Sequence, residues 1–269
     1  MLVKEEDILG EIRNNFKGHL PFYVGEDVQT GEPKVVNFEY ETSAFVYGKS
    51  GGSKTSIVRN FLYGIKDFVS YKDVNVYIYD KDGVNGYEKE FGDMEQVVRH
   101  ETSLEGFIKM VKKLNRDRKL IQKYIQEAEY EEVLEYKNEE IKSIDVIPYN
   151  VLIIEGIDGL YEDLKENMFE KDYKNVIEDI NQIITMGRSA GIKMIMTASS
   201  VKEYLSIKTL LANASLKYIN SEIDEEDLYK LVGNIADEYK GLLRRGIEKG
   251  LVKRGYMGNI KEVKLNVVG

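Results

Sequence analysis

The sequence predicts a three-layer α/β/α domain around a mainly parallel sheet, and three observations predict it. Short apolar runs rich in β-branched residues alternate with longer stretches of helical period, as in successive βαβ units. A glycine-rich run, Gly48-Lys49-Ser50-Gly51-Gly52-Ser53, separates one such strand from one such helix. A near-continuous apolar run, 150–154, ends on an acid, Glu155.

Taken in order, residues 43–47 read as a buried strand and 48–53 as a loop. A helix follows over 54–68, with Ile57, Phe61, Leu62 and Ile65 on one face. Residues 74–79 alternate as a strand does and stop at Asp80-Lys81, before Gly83 and Gly86. Leu104, Phe107, Ile108, Val111, Leu114, Ile121, Tyr124 and Ile125 recur at helical spacing and predict a long amphipathic helix. The acid-rich stretch 127–140 reads as a solvated helix face or a mobile connection rather than a docking surface. Strands are predicted over 150–154, 193–197 and 216–219, a helix over 176–184, and a closing hairpin in 251–267, broken by Gly255 and Gly258.

Composition narrows the classes. The 269 residues are 42% hydrophobic, ample for one substantial core, and a single domain over 1–269 is expected. A net charge of −9 argues against a broad phosphate-backbone footprint, so no nucleic-acid partner is expected. The absence of cysteine gives no disulfide framework. No apolar run approaches the roughly 20 residues that cross a bilayer, and residues 1–10 lack the pattern of a signal peptide. The chain is therefore expected to be neither exported nor anchored by itself. His19 and His100, the only histidines, have no partners at metal-ligand spacing, so no metal ligand is assigned. Tyr71, Tyr77, Tyr79, Tyr149 and Tyr218 read as packing residues rather than base-stacking platforms.

The glycine-rich run carries the chemistry. Gly48-Lys49-Ser50-Gly51-Gly52-Ser53-Lys54-Thr55 follows the phosphate-loop pattern G-x-x-x-x-G-K-[ST] at every defined position except one, where Ser53 replaces glycine. In such loops backbone N–H groups and the helix N-terminus surround the phosphates, the lysine reaches the β- and γ-phosphates, and the hydroxyl binds Mg²⁺. Lys54 and Thr55 keep those side chains, while a Cβ at 53 is expected to crowd the nest and weaken ATP binding. The strand into Glu155-Gly156 has the shape of a Walker B segment, with Glu for the usual first Asp and Gly for the second acid. The first substitution disturbs a Mg²⁺ site that tolerates little positional error. The second removes the carboxylate that activates water, a role worth on the order of 10²- to 10⁴-fold. Asp158 is expected to serve a turn or helix cap rather than to replace it.

Together with Gly187-Arg188-Ser189-Ala190-Gly191-Ile192 and the strand that follows, these segments resemble the FtsK/SpoIIIE family in order and spacing. The resemblance implies a P-loop NTPase fold of RecA-like type, with an opening hairpin near 23–26 and 31–36, a core over 41–220 and closing elements over 221–269. In that family a Thr-Gln pair ends the strand and the glutamine senses the γ-phosphate; the matching positions here are Ala198 and Ser199. Altered positions in all three motifs make the chain look most like the terminal ATPase domain of type VII secretion motors. That likeness implies several further things: recognition of the C-terminal signal of small WXG100-type substrates, contact with neighbouring ATPase domains, and a place on the cytoplasmic face of a bacterial membrane through the parent protein. It also implies weak or no binding of ATP and Mg²⁺, and no catalytic residue is assigned. The other readings are an active ATP-hydrolysing translocase and a fold that keeps ATP as a structural ligand.

Overall fold

The computed structural model describes residues 10, 16, 18–49, 54–138, 147–201, 204–220, 223–233, 249–254 and 260–264. In chain order the described elements are β1 (Pro21–Asp27), β2 (Pro33–Asn37), β3 (Ser43–Tyr47), α1 (Lys54–Phe68), β4 (Val74–Tyr79), α2 (Tyr87–Phe91), β5 (Val97–Glu101), α3 (Leu104–Glu127) and α4 (Val133–Asn138). They continue with β6 (Tyr149–Ile154), α5 (Ile157–Asn167), α6 (Glu170–Met186), β7 (Ile192–Ala198), α7 (Tyr204–Asn213), β8 (Leu216–Asn220), α8 (Glu225–Val232), β9 (Lys249–Arg254) and β10 (Ile260–Lys264). The chain forms two compact units, Met1–Val69 with Ile195–Gly269, and Ser70–Met194, the division falling inside β7.

In the first unit β1 and β2 form the expected antiparallel opening hairpin, with Phe22 opposite Val36. The closing strands β9 and β10 also pair antiparallel, and they continue the sheet by joining β8 on one side and β1 on the other. β3 and β8 run parallel, Phe45 beside Lys217. All five residues of β3 are buried, as its unbroken apolar run requires of a covered parallel strand. The apolar face of α1 closes on Phe22 and Phe38: the rings of Phe22, Phe38 and Phe61 meet edge to face with centroids 5.2 to 5.7 Å apart.

In the second unit β4 pairs in parallel with β5 on one side and with β6 on the other. α3 and α6 pack along each other through a polar seam inside an apolar contact. Arg118, almost fully buried, donates to Asn115, Gln122 and Gln182, and Asn115 donates to Asp179 and Gln182. Buried donors of this kind cost free energy unless each finds an acceptor, and here they do. The parallel pairings thus belong to the core strands and the antiparallel ones to the chain's two ends, which is the predicted α/β class.

Several expectations change. The acid-rich stretch is not simply solvated: its hydrophobic positions dock inward, Val133 fully buried and Tyr136 at 6% exposure, with Tyr136 edge to face against Tyr130. Its described acids Glu127, Glu129, Glu131 and Glu135 are exposed, and Glu132 pairs with Arg188. Tyr71, expected to pack, is half-exposed in the turn before β4. The helix expected over 176–184 runs from 170 to 186, because Glu170 and Asp172 extend its first turn favourably toward the helix dipole. β5 and α5 are additional elements, and residues 255–259 and 265–267 of the closing stretch lie outside the described residues.

Candidate functional site

Within the first unit, β3 delivers Tyr47 and Gly48 to the start of the glycine-rich run. The Gly48 N–H donates to the carbonyl of Ala198 at the end of β7, 3.1 Å away, so Ser199 follows directly on a residue tied to the loop. The Lys54 ammonium donates to the carbonyls of Gly48 (2.7 Å) and Lys49 (3.1 Å), folding over the opening of its own loop. Lys49 lies 3.5 Å from Asp224, and the Tyr47 hydroxyl donates to the buried carboxylate of Asp227 at 3.2 Å. The acids 224–227 before and within the first turn of α8 thus sit beside this loop. The structure brings Gly48, Lys49, Lys54 and the residue before Ser199 together; Thr55 follows Lys54 in the first turn of α1. Ser50, Gly51, Gly52 and Ser53 lie outside the described residues.

The far end of α8 is held by two lysines. Lys217 and Lys253, opposite each other on β8 and β9, donate to the carbonyls of Leu231 and Val232. Cations suit a helix C-terminus, yet burial, with the Lys253 charge second, pushes Lys217 down to about 8.

Within the second unit, β6 is buried along its whole length and ends at Glu155, itself 7% exposed. Its carboxylate accepts from the hydroxyl of Tyr87, the first residue of α2. Gly156 follows at φ +70°, ψ +56° and caps α5, a left-handed position that suits glycine. Asp158 therefore lies in the first turn of α5 rather than capping it. Sequence reasoning missed two residues here. Asp80, after β4, is fully buried and accepts from both the side-chain amide (2.7 Å) and the backbone N–H (3.0 Å) of Asn85. Tyr87 is the other. The signal available was an acid ending a strand, followed by Asn and Tyr between glycines. Tyr79 is pushed up to about 12 by burial, then by the charges of Asp163, Asp82 and Asp80, which marks this rim as acidic.

The fold is similar to that of solved ATPase domains, EccC and EssC among them. The cytoplasmic domain of the type VII secretion ATPase EccC of Thermomonospora curvata superposes with a TM-score of 0.74 at 14% identity, over 99% of this chain and 32% of that one. The pCW3 conjugation coupling protein TcpA, as a monomer with ATPγS, gives 0.73 at 14% identity, over 95% and 71%. EssC (ATPases 2 and 3) of Geobacillus thermodenitrificans gives 0.71 at 18%, over 95% and 48%. EccC ATPases 2 and 3 in complex with a signal sequence peptide give 0.62 at 12%, over 93% and 41%. The chain spans about a third of the EccC cytoplasmic domain and about half of the EssC fragment. No family model matches the sequence, and no curated protein matches it.

Lys54 and Thr55 supply the groups a triphosphate needs on the loop side. Glu155 does not offer what Mg²⁺ asks of its acid, since the carboxylate is buried and takes the Tyr87 hydroxyl, and Gly156 brings no second carboxylate.

Proposed function

We propose that this chain is a domain of a type VII protein secretion motor that recognises substrates and regulates its neighbours, with weak or no ATP binding and little hydrolysis. The observation that carries the reading is the Tyr87–Glu155 hydrogen bond beside Gly156, which engages one oxygen of the acid after β6 where no second acid follows. Its partners are the C-terminal signals of WXG100-type substrates and the adjoining ATPase domains; the EccC structure solved with a signal peptide supports the first. On this reading 1–269 acts as one module, on the cytoplasmic face of a bacterial membrane through its parent protein. Among the described residues no helix is long and apolar enough to cross a membrane. The nucleotide-binding residues on this reading are 48–55, with Glu155 Walker B-like and Ser199 sensor-like.

Capture of a WXG100 protein by the purified chain, lost when the substrate's C-terminal tail is deleted, is the expected result. Equal capture without the tail would refute tail recognition. Retention of Lys54 and Thr55 favours a second reading, an active translocase. Mg²⁺-dependent phosphate release abolished by Lys54→Ala would establish it, whereas tight ATP binding with a raised melting temperature and no release would mark ATP as a structural ligand.

A further inference from the structure

Two buried acids stand side by side at the carboxyl ends of neighbouring parallel strands. Tyr79 and Ile154 are register partners on β4 and β6, and Asp80 and Glu155 directly follow them. The Glu155 N–H also donates to the Tyr79 carbonyl at 3.0 Å, fixing the two ends to each other. In open parallel sheets this rim is where ligands and their metals bind. Here one short connection, residues 81–91, supplies a partner to each acid: Asn85 donates twice to Asp80, and Tyr87 donates to Glu155.

The connection is built to hold those donors in place. The Gly83 N–H returns to the Asp80 carbonyl at 2.9 Å and the Asp82 N–H donates to Thr102 at 3.1 Å. Gly86, at φ +72°, turns the chain into α2 so that Tyr87 points inward. Tyr87 and Phe91 are each 1% exposed, their rings 6.2 Å apart, so the phenol enters Glu155's surroundings as a packed side chain. Mg²⁺ keeps most of its waters and demands near-octahedral order, reaching an acid of this kind through a bound water O–H. The Tyr87 O–H takes that donor role at Oε1 of Glu155.

We infer that Tyr87 is a built-in substitute for a metal-bound water, and that it excludes divalent cations from the acidic rim of this unit. The inference rests on the proposed non-hydrolytic function and names the residue that enforces it. Removing the hydroxyl frees Oε1 of Glu155 to accept from a cation's bound water.

Mn²⁺ binding to the whole chain, followed by electron paramagnetic resonance, tests it on wild type, Tyr87→Phe, Glu155→Gln and the double variant. A folded Tyr87→Phe is expected to bind Mn²⁺ at least about tenfold more tightly than wild type, the scale on which partners of metal ligands act, and the double variant to lose that gain. A folded Tyr87→Phe no better than wild type overturns the inference. So does wild-type binding that disappears in Glu155→Gln. Should Tyr87→Phe fail to fold, the melting temperatures of wild type and Glu155→Gln decide. Neither is expected to respond to Mg²⁺, and a rise in wild type that Glu155→Gln lacks refutes the assignment. Mn²⁺ held through Glu155 without phosphate release would sink this inference and leave the regulatory reading intact. Failure to capture a tailed substrate would do the converse.

Discussion

Replacing Glu129 by glycine should stabilise the protein, although it removes a charged surface residue. α3 ends in a Schellman arrangement: the Glu129 N–H returns to Gln126 and the Tyr130 N–H to Ile125, each at 3.0 Å. That closure puts Glu129 at φ +65°, one of two non-glycine residues with positive φ among the described residues. A left-handed L-residue costs roughly 1–2 kcal/mol, and glycine returns about 0.4–1 kcal/mol of that through its freer unfolded chain. The net expectation is about 0.5–1 kcal/mol, or a melting temperature higher by about 2–4 °C per kcal/mol for a chain of this size. Urea unfolding followed by circular dichroism measures it. Because 127–140 is acid-rich, lost repulsion is the competing source of a gain, so Glu129→Ala is the control: it removes the charge and keeps the Cβ. The reasoning is refuted if Glu129→Gly is neutral or destabilising, or if Glu129→Ala matches it.

Tyr47→Phe should cost about 1–3 kcal/mol, because it leaves the nearly buried Asp227 carboxylate short of a donor; urea unfolding of the variant checks this. Lys217 should titrate near 8 by NMR of its side-chain amine and move upward in Lys253→Met, since the neighbouring charge contributes after burial. Its depressed value means that the unfolded chain binds the extra proton between about 8 and the ordinary lysine range, so this group's penalty applies below pH 8 and is relieved as pH rises through that window. Gly156→Asp should fold at a cost of about 1 kcal/mol, because the left-handed backbone strains an L-residue although a Cβ there meets nothing within 4 Å. It should gain no phosphate release while Tyr87 still engages Glu155, and turnover by that single variant would contradict the proposed function.

Much of the fold was legible in the chain. β3, α1, β4, α3, β6 and β8 carry either unbroken apolar runs or clean helical periodicity, and both signals come from burial of one face. β5 was not legible, since Val97–Glu101 includes Arg99, His100 and Glu101 and no residue of it is fully covered. α5 was hidden by Gly156 and Gly159, which read as a turn although Ile157, Leu160, Tyr161 and Leu164 keep the helical spacing. The inward docking of Val133 and Tyr136 was masked by the acids between them. For the candidate site, the glycine-rich run and Glu155 were visible as motifs; their neighbours were not.

The sequence by itself determined the α/β class, the order of its core strands along the chain, and the presence of serine at 53 and glycine at 156. Those are matters of residue type at fixed local spacing, where periodicity and side-chain chemistry suffice. Only the tertiary structure decided that Tyr87 meets Glu155, that Asn85 holds Asp80 beneath the same rim, and that Asp227 lies against Tyr47. Tyr87 and Glu155 are 68 positions apart. No local preference encodes such a meeting; it follows from the register of β4 on β6 and from the turn that carries α2 back over their ends.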